Sequence, residues 1–231
     1  MPTDATEPDE EVWPPFDFPA AENSALRSAY ASANVILEYG TGGSTVYAAS
    51  LPCKRVFSIE TDRSWALRLQ SRIDDDESLP GIVSVIYADI GPTGKWGRPT
   101  NPAAWPRFSG YVLDVWSLPF MQHPDVILID GRFRAACMLA ALAMVRRPVR
   151  VLFDDYVDRK PYHVVEDFIQ PVEIAGRMAM FDIAPGLITL GDLRPMIEAL
   201  GQVTYSERPT HYDKPALEAV LQRYKDMDNN R

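Results

Sequence analysis

Cysteine is nearly absent from this chain of 231 residues, and its two examples, Cys53 and Cys137, have no ligand spacing. A disulfide framework and a thiolate metal site therefore lack support, and both residues read as reduced thiols in or near a core. Histidine is also scarce, at three residues, so chemistry built on clustered imidazoles is not expected. Long apolar runs are missing: the longest strongly apolar stretch, residues 135–145, falls far short of the ~20 residues that cross a bilayer. No basic start followed by an apolar segment opens the sequence, so a cytoplasmic protein with no membrane partner is expected. Basic residues are outnumbered 32 to 23, which leaves a net charge of −9. That balance disfavours a nucleic-acid backbone as the main partner.

What is present suits one compact α/β domain, since 46% hydrophobic content over this length can bury a single substantial core. Residues 1–19 form an acidic, proline-bearing arm containing Trp13, Phe16 and Phe18. Its aromatics could dock on the body of the chain or on a second subunit, which leaves a homo-oligomer open, or the arm could be mobile. Residues 20–231 read as one domain, with a loop insertion at about 90–110 and a C-terminal helical extension. Helices are expected over residues 20–33, 64–74, 134–145 and 161–170. Trp65, Leu69 and Ile73 fall at i, i+4 and i+8 and read as a core-facing stripe. Residues 172–183 can form a hairpin through Ala175-Gly176-Arg177.

The most informative segment is Val35-Ile-Leu-Glu-Tyr-Gly-Thr-Gly-Gly-Ser-Thr45, an apolar strand that runs into an acidic residue and then a glycine-dense turn. Gly40, Gly42 and Gly43 let main-chain N–H groups approach a ligand, and Ser44 or Thr45 can cap the following helix. The match to a dinucleotide fingerprint is imperfect. The third glycine is out of place, and Glu38 would repel a pyrophosphate. A cationic or polar ligand suits that carboxylate better.

Further strands follow, with acidic residues recurring at their ends. Arg55-Val-Phe-Ser-Ile59 runs into Glu60 and Thr61, and residues 82–87 run into Asp89. Asp125-Val-Ile-Leu-Ile129 runs into Asp130-Gly131, and Arg150-Val-Leu-Phe153 into Asp154-Asp155. Taken singly, each acid could be a helix cap, a dipole partner or a turn residue. The ordered set favours a ligand site.

Glu38-Tyr39-Gly40-Thr41-Gly42, with the strand ends that follow it, resembles the class I S-adenosylmethionine-dependent methyltransferases over approximately residues 24 to 190. The resemblance implies a Rossmann-like, doubly wound α/β fold. Its sheet has seven strands, mostly parallel, with an antiparallel last strand and helices on both faces. The cofactor implied is S-adenosylmethionine, held by Glu38, Tyr39, the loop Gly40, Thr41, Gly42, Gly43 and Ser44, then Glu60 with Thr61, Asp89 and Asp130. Glu60 would accept from the ribose hydroxyls, Asp89 would contact the adenine amino group, and Asp130 would lie beside the reacting methyl. The acceptor is expected to be a small molecule.

Methyl transfer is chiefly in-line positioning, so an obvious base is not required. For an oxygen acceptor, Asp130 or His163 are the candidate proton acceptors. Arg132 and Arg134 follow Asp130-Gly131 directly. Over the pocket, such a guanidinium would grip a carboxylate or phosphate; paired to Asp154 or Asp155, it would be structural. Catechol-type members hold magnesium with an aspartate after the fourth strand and an aspartate-asparagine pair after the fifth. Asp130 and Asp154-Asp155 sit similarly, with aspartate replacing asparagine. Acidic strand ends are common without metal, and the site is read as metal-free. The loop at Gly91-Pro-Thr-Gly-Lys-Trp-Gly-Arg-Pro99 is either a lid over substrate or a variable surface excursion. Two other functions stay open: a non-catalytic binder of S-adenosylmethionine or S-adenosylhomocysteine, and a nicotinamide-dependent oxidoreductase.

Overall fold

The computed structural model of the protein describes residues 13–206. The first 12 residues of the acidic arm and residues 207–231 of the expected C-terminal extension lie outside the described residues.

Helix α1 (Ala20–Ser32) starts behind Pro19 and leads into strand β1 (Val35–Tyr39). Helix α2 (Gly43–Ser50) follows the glycine turn, then strand β2 (Arg55–Glu60) and helix α3 (Arg63–Asp75). Asp62 caps α3, its side chain accepting from Trp65 N at 2.9 Å. Strand β3 (Ile82–Tyr87) leads through the long loop to helix α4 (Phe108–Leu113). Strand β4 (Val126–Ile129), helix α5 (Arg134–Met144) and strand β5 (Val149–Phe153) complete the parallel part. Strands β6 (Glu173–Ala175) and β7 (Met178–Ile183) form the expected hairpin, and helix α6 (Leu193–Leu200) comes last.

The sheet has seven strands in the order β3-β2-β1-β4-β5-β7-β6. Strands β1 to β5 are parallel, and β7 runs antiparallel to both β5 and β6. Side-chain alternation divides the central strands between two layers. Leu37, Phe57, Ile127, Ile129 and Val151 share a core with α4 and α5, whereas Ile36, Val56, Leu128 and Leu152 pack with Leu26 and Tyr30 of α1. Strands buried on both faces are apolar almost throughout, as β1, β4 and β5 are. Helix α5 lies in the interior, and residues 134–142 are all buried.

Three expectations need correction. Residues 160–167 form 3-10 turns and no α-helix, because Pro161 and the β-branched pair Val164-Val165 disfavour regular α-helical turns. Cys53 is exposed in the turn between α2 and β2, at φ 58°, while Cys137 is buried. Leu69 and Ile73 are core residues, but Trp65 is only half-buried and points toward the glycine turn, where its Nε1 donates to the Thr41 carbonyl at 3.1 Å.

Candidate active site

The order of strand succession reverses between β1 and β4, since β1 is followed outward by β2 and β3 on one side and β4 by β5 on the other. Open α/β sheets bind ligands at the carboxyl ends of such a switch point. Here the two turns touch. Gly40 has φ 110°, and a Cβ on it would lie 2.8 Å from Gly131 N. A Cβ on Gly131 would fall 2.0 Å from the Tyr111 hydroxyl. Asp130 N donates to the Tyr39 carbonyl at 2.9 Å, holding the turns in contact. A cleft of about 690 Å³ opens above them, within the range of small-ligand sites.

The glycine loop forms one wall. Nothing lies within 4 Å of a Cβ built on Gly42, so its backbone faces open space in the cleft. Gly43 is covered: a Cβ there would meet the Pro15 carbonyl at 2.2 Å. The arm therefore crosses the start of α2. Phe16 stacks on Tyr47 with centroids 4.9 Å apart, and Arg27 lies over both rings. Trp13 is covered by Arg72. Residues 13–18 of the arm thus pack on the body of their own chain.

Glu38 lies under this loop, fully buried. Its carboxylate accepts from Tyr30 Oη at 2.6 Å and from Thr45 Oγ1, which itself accepts from Gly42 N at 3.1 Å. Burial raises the Glu38 pKa, and the bonds from Thr45 and Tyr30 oppose that rise. Glu38 thus holds the loop in shape from below. Tyr39 is buried likewise, its hydroxyl donating to Val112 O at 2.8 Å.

Glu60, the last residue of β2, lines the opposite wall. Its Oε1 accepts from Thr61 N at 2.6 Å, from Asp62 N at 2.8 Å and from Thr61 Oγ1 at 3.2 Å. No donor among the described residues reaches Oε2. Burial raises the Glu60 pKa despite those bonds. The long loop is tied down here, with Gly97 O accepting from Thr61 Oγ1 at 2.8 Å. Gly97 has φ 64°, and a Cβ on it would fall 2.2 Å from Thr61 Oγ1, so glycine is required. Trp96 and Gly97 both line the cleft, as a lid would.

Asp130, Gly131 and Arg132 line the cleft from the β4 side. Asp130 pairs with Arg134 at 2.9 Å, yet burial, with Asp154 and Asp155 nearby, pushes its carboxyl up to about 7. Asp154 is buried and takes both Arg177 Nε, at 3.0 Å, and Arg177 Nη2, at 2.8 Å. Asp155 pairs with Arg159 at 2.7 Å. The three carboxylates that would suit magnesium are each bound to guanidinium groups. Among the described residues, no cluster of three His, Cys, Asp or Glu could hold a metal.

A methyltransferase-like protein from Silicibacter pomeroyi, known from a crystal structure, is 45% identical to this chain. The match covers 81% of this chain and 97% of that one, with a TM-score of 0.77. The chain belongs to the class I S-adenosylmethionine-dependent methyltransferase superfamily. Weaker matches include an O-methyltransferase from Bacillus cereus in complex with S-adenosylhomocysteine, at 19% identity over 67% of this chain and 64% of that one, TM-score 0.40. A methyltransferase from Geobacter sulfurreducens matches at 12% identity over 71% and 79%, TM-score 0.43. Both are too distant to bear on chemistry. No family model matches the chain, and no curated protein does.

The methyltransferase cleft gathers Gly40, Thr41, Gly42, Gly43 and Ser44 with Glu60, Thr61, Asp130 and Arg132. It leaves out four residues expected there. Glu38 and Tyr39 are beneath the floor. Asp89 is exposed, accepts from Gly91 N at 2.9 Å and is held by Arg107, which turns it to a separate recess. His163 stacks on Tyr156 at 4.8 Å and contacts the Tyr156 carbonyl at 3.1 Å, so its ring serves packing away from the cleft. The cleft also recruits residues the sequence reading did not assign to it: Pro14, Pro15 and Phe18 of the arm, Trp65, Tyr111 and Arg177. The only advance signal for the arm was its cluster of aromatics.

Proposed function

We propose that this methyltransferase binds S-adenosylmethionine in the cleft and transfers its methyl group to a small-molecule acceptor. One observation carries the proposal: at the switch point, an open glycine turn faces a carboxylate one of whose oxygens meets no donor among the described residues, and a second carboxylate lines the same cleft. S-adenosylmethionine supplies a sulfonium whose methyl is electrophilic. Glu60 Oε2 is available to the ribose hydroxyls, because Oε1 is already held by Thr61 and Asp62. Thr45 N and Val46 N donate to the Gly42 carbonyl, which leaves the N–H groups of Gly43 and Ser44 at the start of α2 for the polar methionine end. Pro14, Pro15 and Phe18 narrow that end of the cleft and help to exclude water.

Asp130 is the candidate proton acceptor. A carboxyl held near 7 exchanges its proton readily at working pH, so it can take the proton of an acceptor hydroxyl as oxygen bonds to the methyl carbon and the carbon–sulfur bond breaks. A cofactor-binding role without turnover is the second reading, favoured by the tie of Asp130 to Arg134 and the removal of His163 from the cleft. The test is transfer of labelled methyl from S-adenosylmethionine across a panel of hydroxyl, amine and carboxylate acceptors. Label incorporated by wild type and lost in Asp130→Asn supports transfer. Tight cofactor binding with no incorporation on any acceptor supports the second reading.

A further inference from the structure

Among the described residues four acidic side chains line the cleft, and three of them already have partners. Asp62 caps α3 through Trp65 N, Asp130 is held by Arg134, and Glu60 has one oxygen on Thr61 and Asp62. Arg134 is committed in turn, donating to the Asp154 carbonyl at 2.7 Å and the Asp130 carbonyl at 2.6 Å. Asp17, in the arm, is the fourth. Its carboxylate has no hydrogen-bond or ion-pair partner among the described residues.

The path of the arm places this carboxylate. Upstream, the Pro15 carbonyl lies against the first residue of α2, where a Cβ on Gly43 would meet it at 2.2 Å. Phe16 turns away from the cleft onto Tyr47, with Arg27 over both rings. Downstream, Glu22 in the first turn of α1 is buried and accepts from Arg177 N at 2.8 Å, and a Cβ on Gly176 would fall 2.2 Å from the same carboxylate oxygen. Asp17 and Phe18 therefore bridge the start of α2 and the β6–β7 turn, along a wall shared with Gly42, Gly43, Ser44 and Arg177. So short a span between two anchors leaves the backbone at Asp17 little freedom.

We propose that Asp17 receives the α-ammonium of the cofactor's methionine end, which makes the arm part of the cofactor site. This rests on the reading of the cleft as an S-adenosylmethionine site. An α-amino acid carries opposite charges on one carbon, so the two groups must be met side by side. Its carboxylate suits the N–H groups of Gly43 and Ser44, but the positive end of a helix repels an ammonium brought to the same place. A neighbouring carboxylate is then needed. Glu38, the acid nearest the glycine loop in sequence, is not available, because its two oxygens accept from Tyr30 and Thr45 beneath the floor. Asp17 comes from the segment that crosses the same helix start and faces the cleft. A charge-assisted hydrogen bond there fixes the methionine end and, with it, the line along which the methyl leaves.

The experiment is calorimetry on the full chain, wild type and Asp17→Asn, with S-adenosylhomocysteine and with its deamino analogue, which lacks only the α-ammonium. S-adenosylhomocysteine has no net charge, so general attraction of a cation is not what is read. We expect Asp17→Asn to bind S-adenosylhomocysteine about tenfold more weakly, the worth of one hydrogen bond between charged groups. The deamino analogue should bind wild type more weakly than S-adenosylhomocysteine does, and should bind the variant as well as it binds wild type. Equal affinity of the two proteins for S-adenosylhomocysteine overturns the assignment. An equal loss on both ligands overturns it too, because the substitution would then have disturbed the arm and not a contact with the ammonium. In both of those outcomes wild type still binds S-adenosylhomocysteine and the reading of the cleft stands. If wild type does not bind it, that reading falls, and the role of Asp17 falls with it.

Discussion

Replacing Glu60 by glutamine separates binding from folding at one atom. The side-chain oxygen must stay against Thr61 N and Asp62 N, which lie at 2.6 and 2.8 Å and can only donate. The amide NH2 is then forced toward the cleft, where it replaces an acceptor by a donor and removes the charge. Hydrogen bonds to charged groups are worth about 1.5–3 kcal/mol, so losing the ribose contacts should weaken S-adenosylhomocysteine binding roughly tenfold to a hundredfold. Stability should move the other way or not at all. The raised Glu60 pKa means that the folded protein holds its proton to higher pH than the unfolded chain does. Stability is therefore lost as pH rises from the ordinary glutamate range through the raised value, and glutamine has no such loss. At pH 8, Glu60→Gln should bind cofactor far more weakly while melting at the same or a higher temperature. Unchanged Kd, or a fall in melting temperature that parallels the fall in affinity, would refute the ribose assignment.

Three further outcomes are expected. Gly131→Ala places a Cβ 2.0 Å from the Tyr111 hydroxyl and 2.8 Å from Gly40 N, so thermal denaturation should show a destabilisation of about 1–3 kcal/mol; an unchanged melting temperature would mean that the turns are not in contact. With an active acceptor, kcat/KM should rise as pH passes through about 7, where Asp130 loses its proton and can accept one, and Asp130→Asn should abolish the rise while sparing S-adenosylhomocysteine affinity. EDTA should change turnover little, because Asp130, Asp154 and Asp155 are bound to arginines; full loss restored by magnesium would reverse the metal-free reading.

The parallel core was legible because fully buried strands have to be apolar, and because Gly40, Glu60 and Asp130 fall where strands end. Side-chain direction was less so. Asp89 is at the carboxyl edge as spacing implied, but an arginine 18 residues away captures it. Glu38 could be read as facing a ligand or as a helix-dipole partner, whereas Tyr30 and Thr45, brought to it by α1 and α2, hold its carboxylate beneath the turn, contacts that no sequence spacing announces. The choice between Arg132 and Arg134 depended on which guanidinium met Asp154, a matter of helix α5 and its rotation. The arm over Gly43 left no periodic signature, since an extended segment docks by isolated contacts such as Phe16 on Tyr47.

The central claim is tested most directly by calorimetric titration of the wild-type chain with S-adenosylmethionine, S-adenosylhomocysteine and NAD in parallel. Saturable one-to-one binding of the first two, with none for NAD, is the predicted result. Binding of NAD, or no binding of either sulfur ligand, would contradict it.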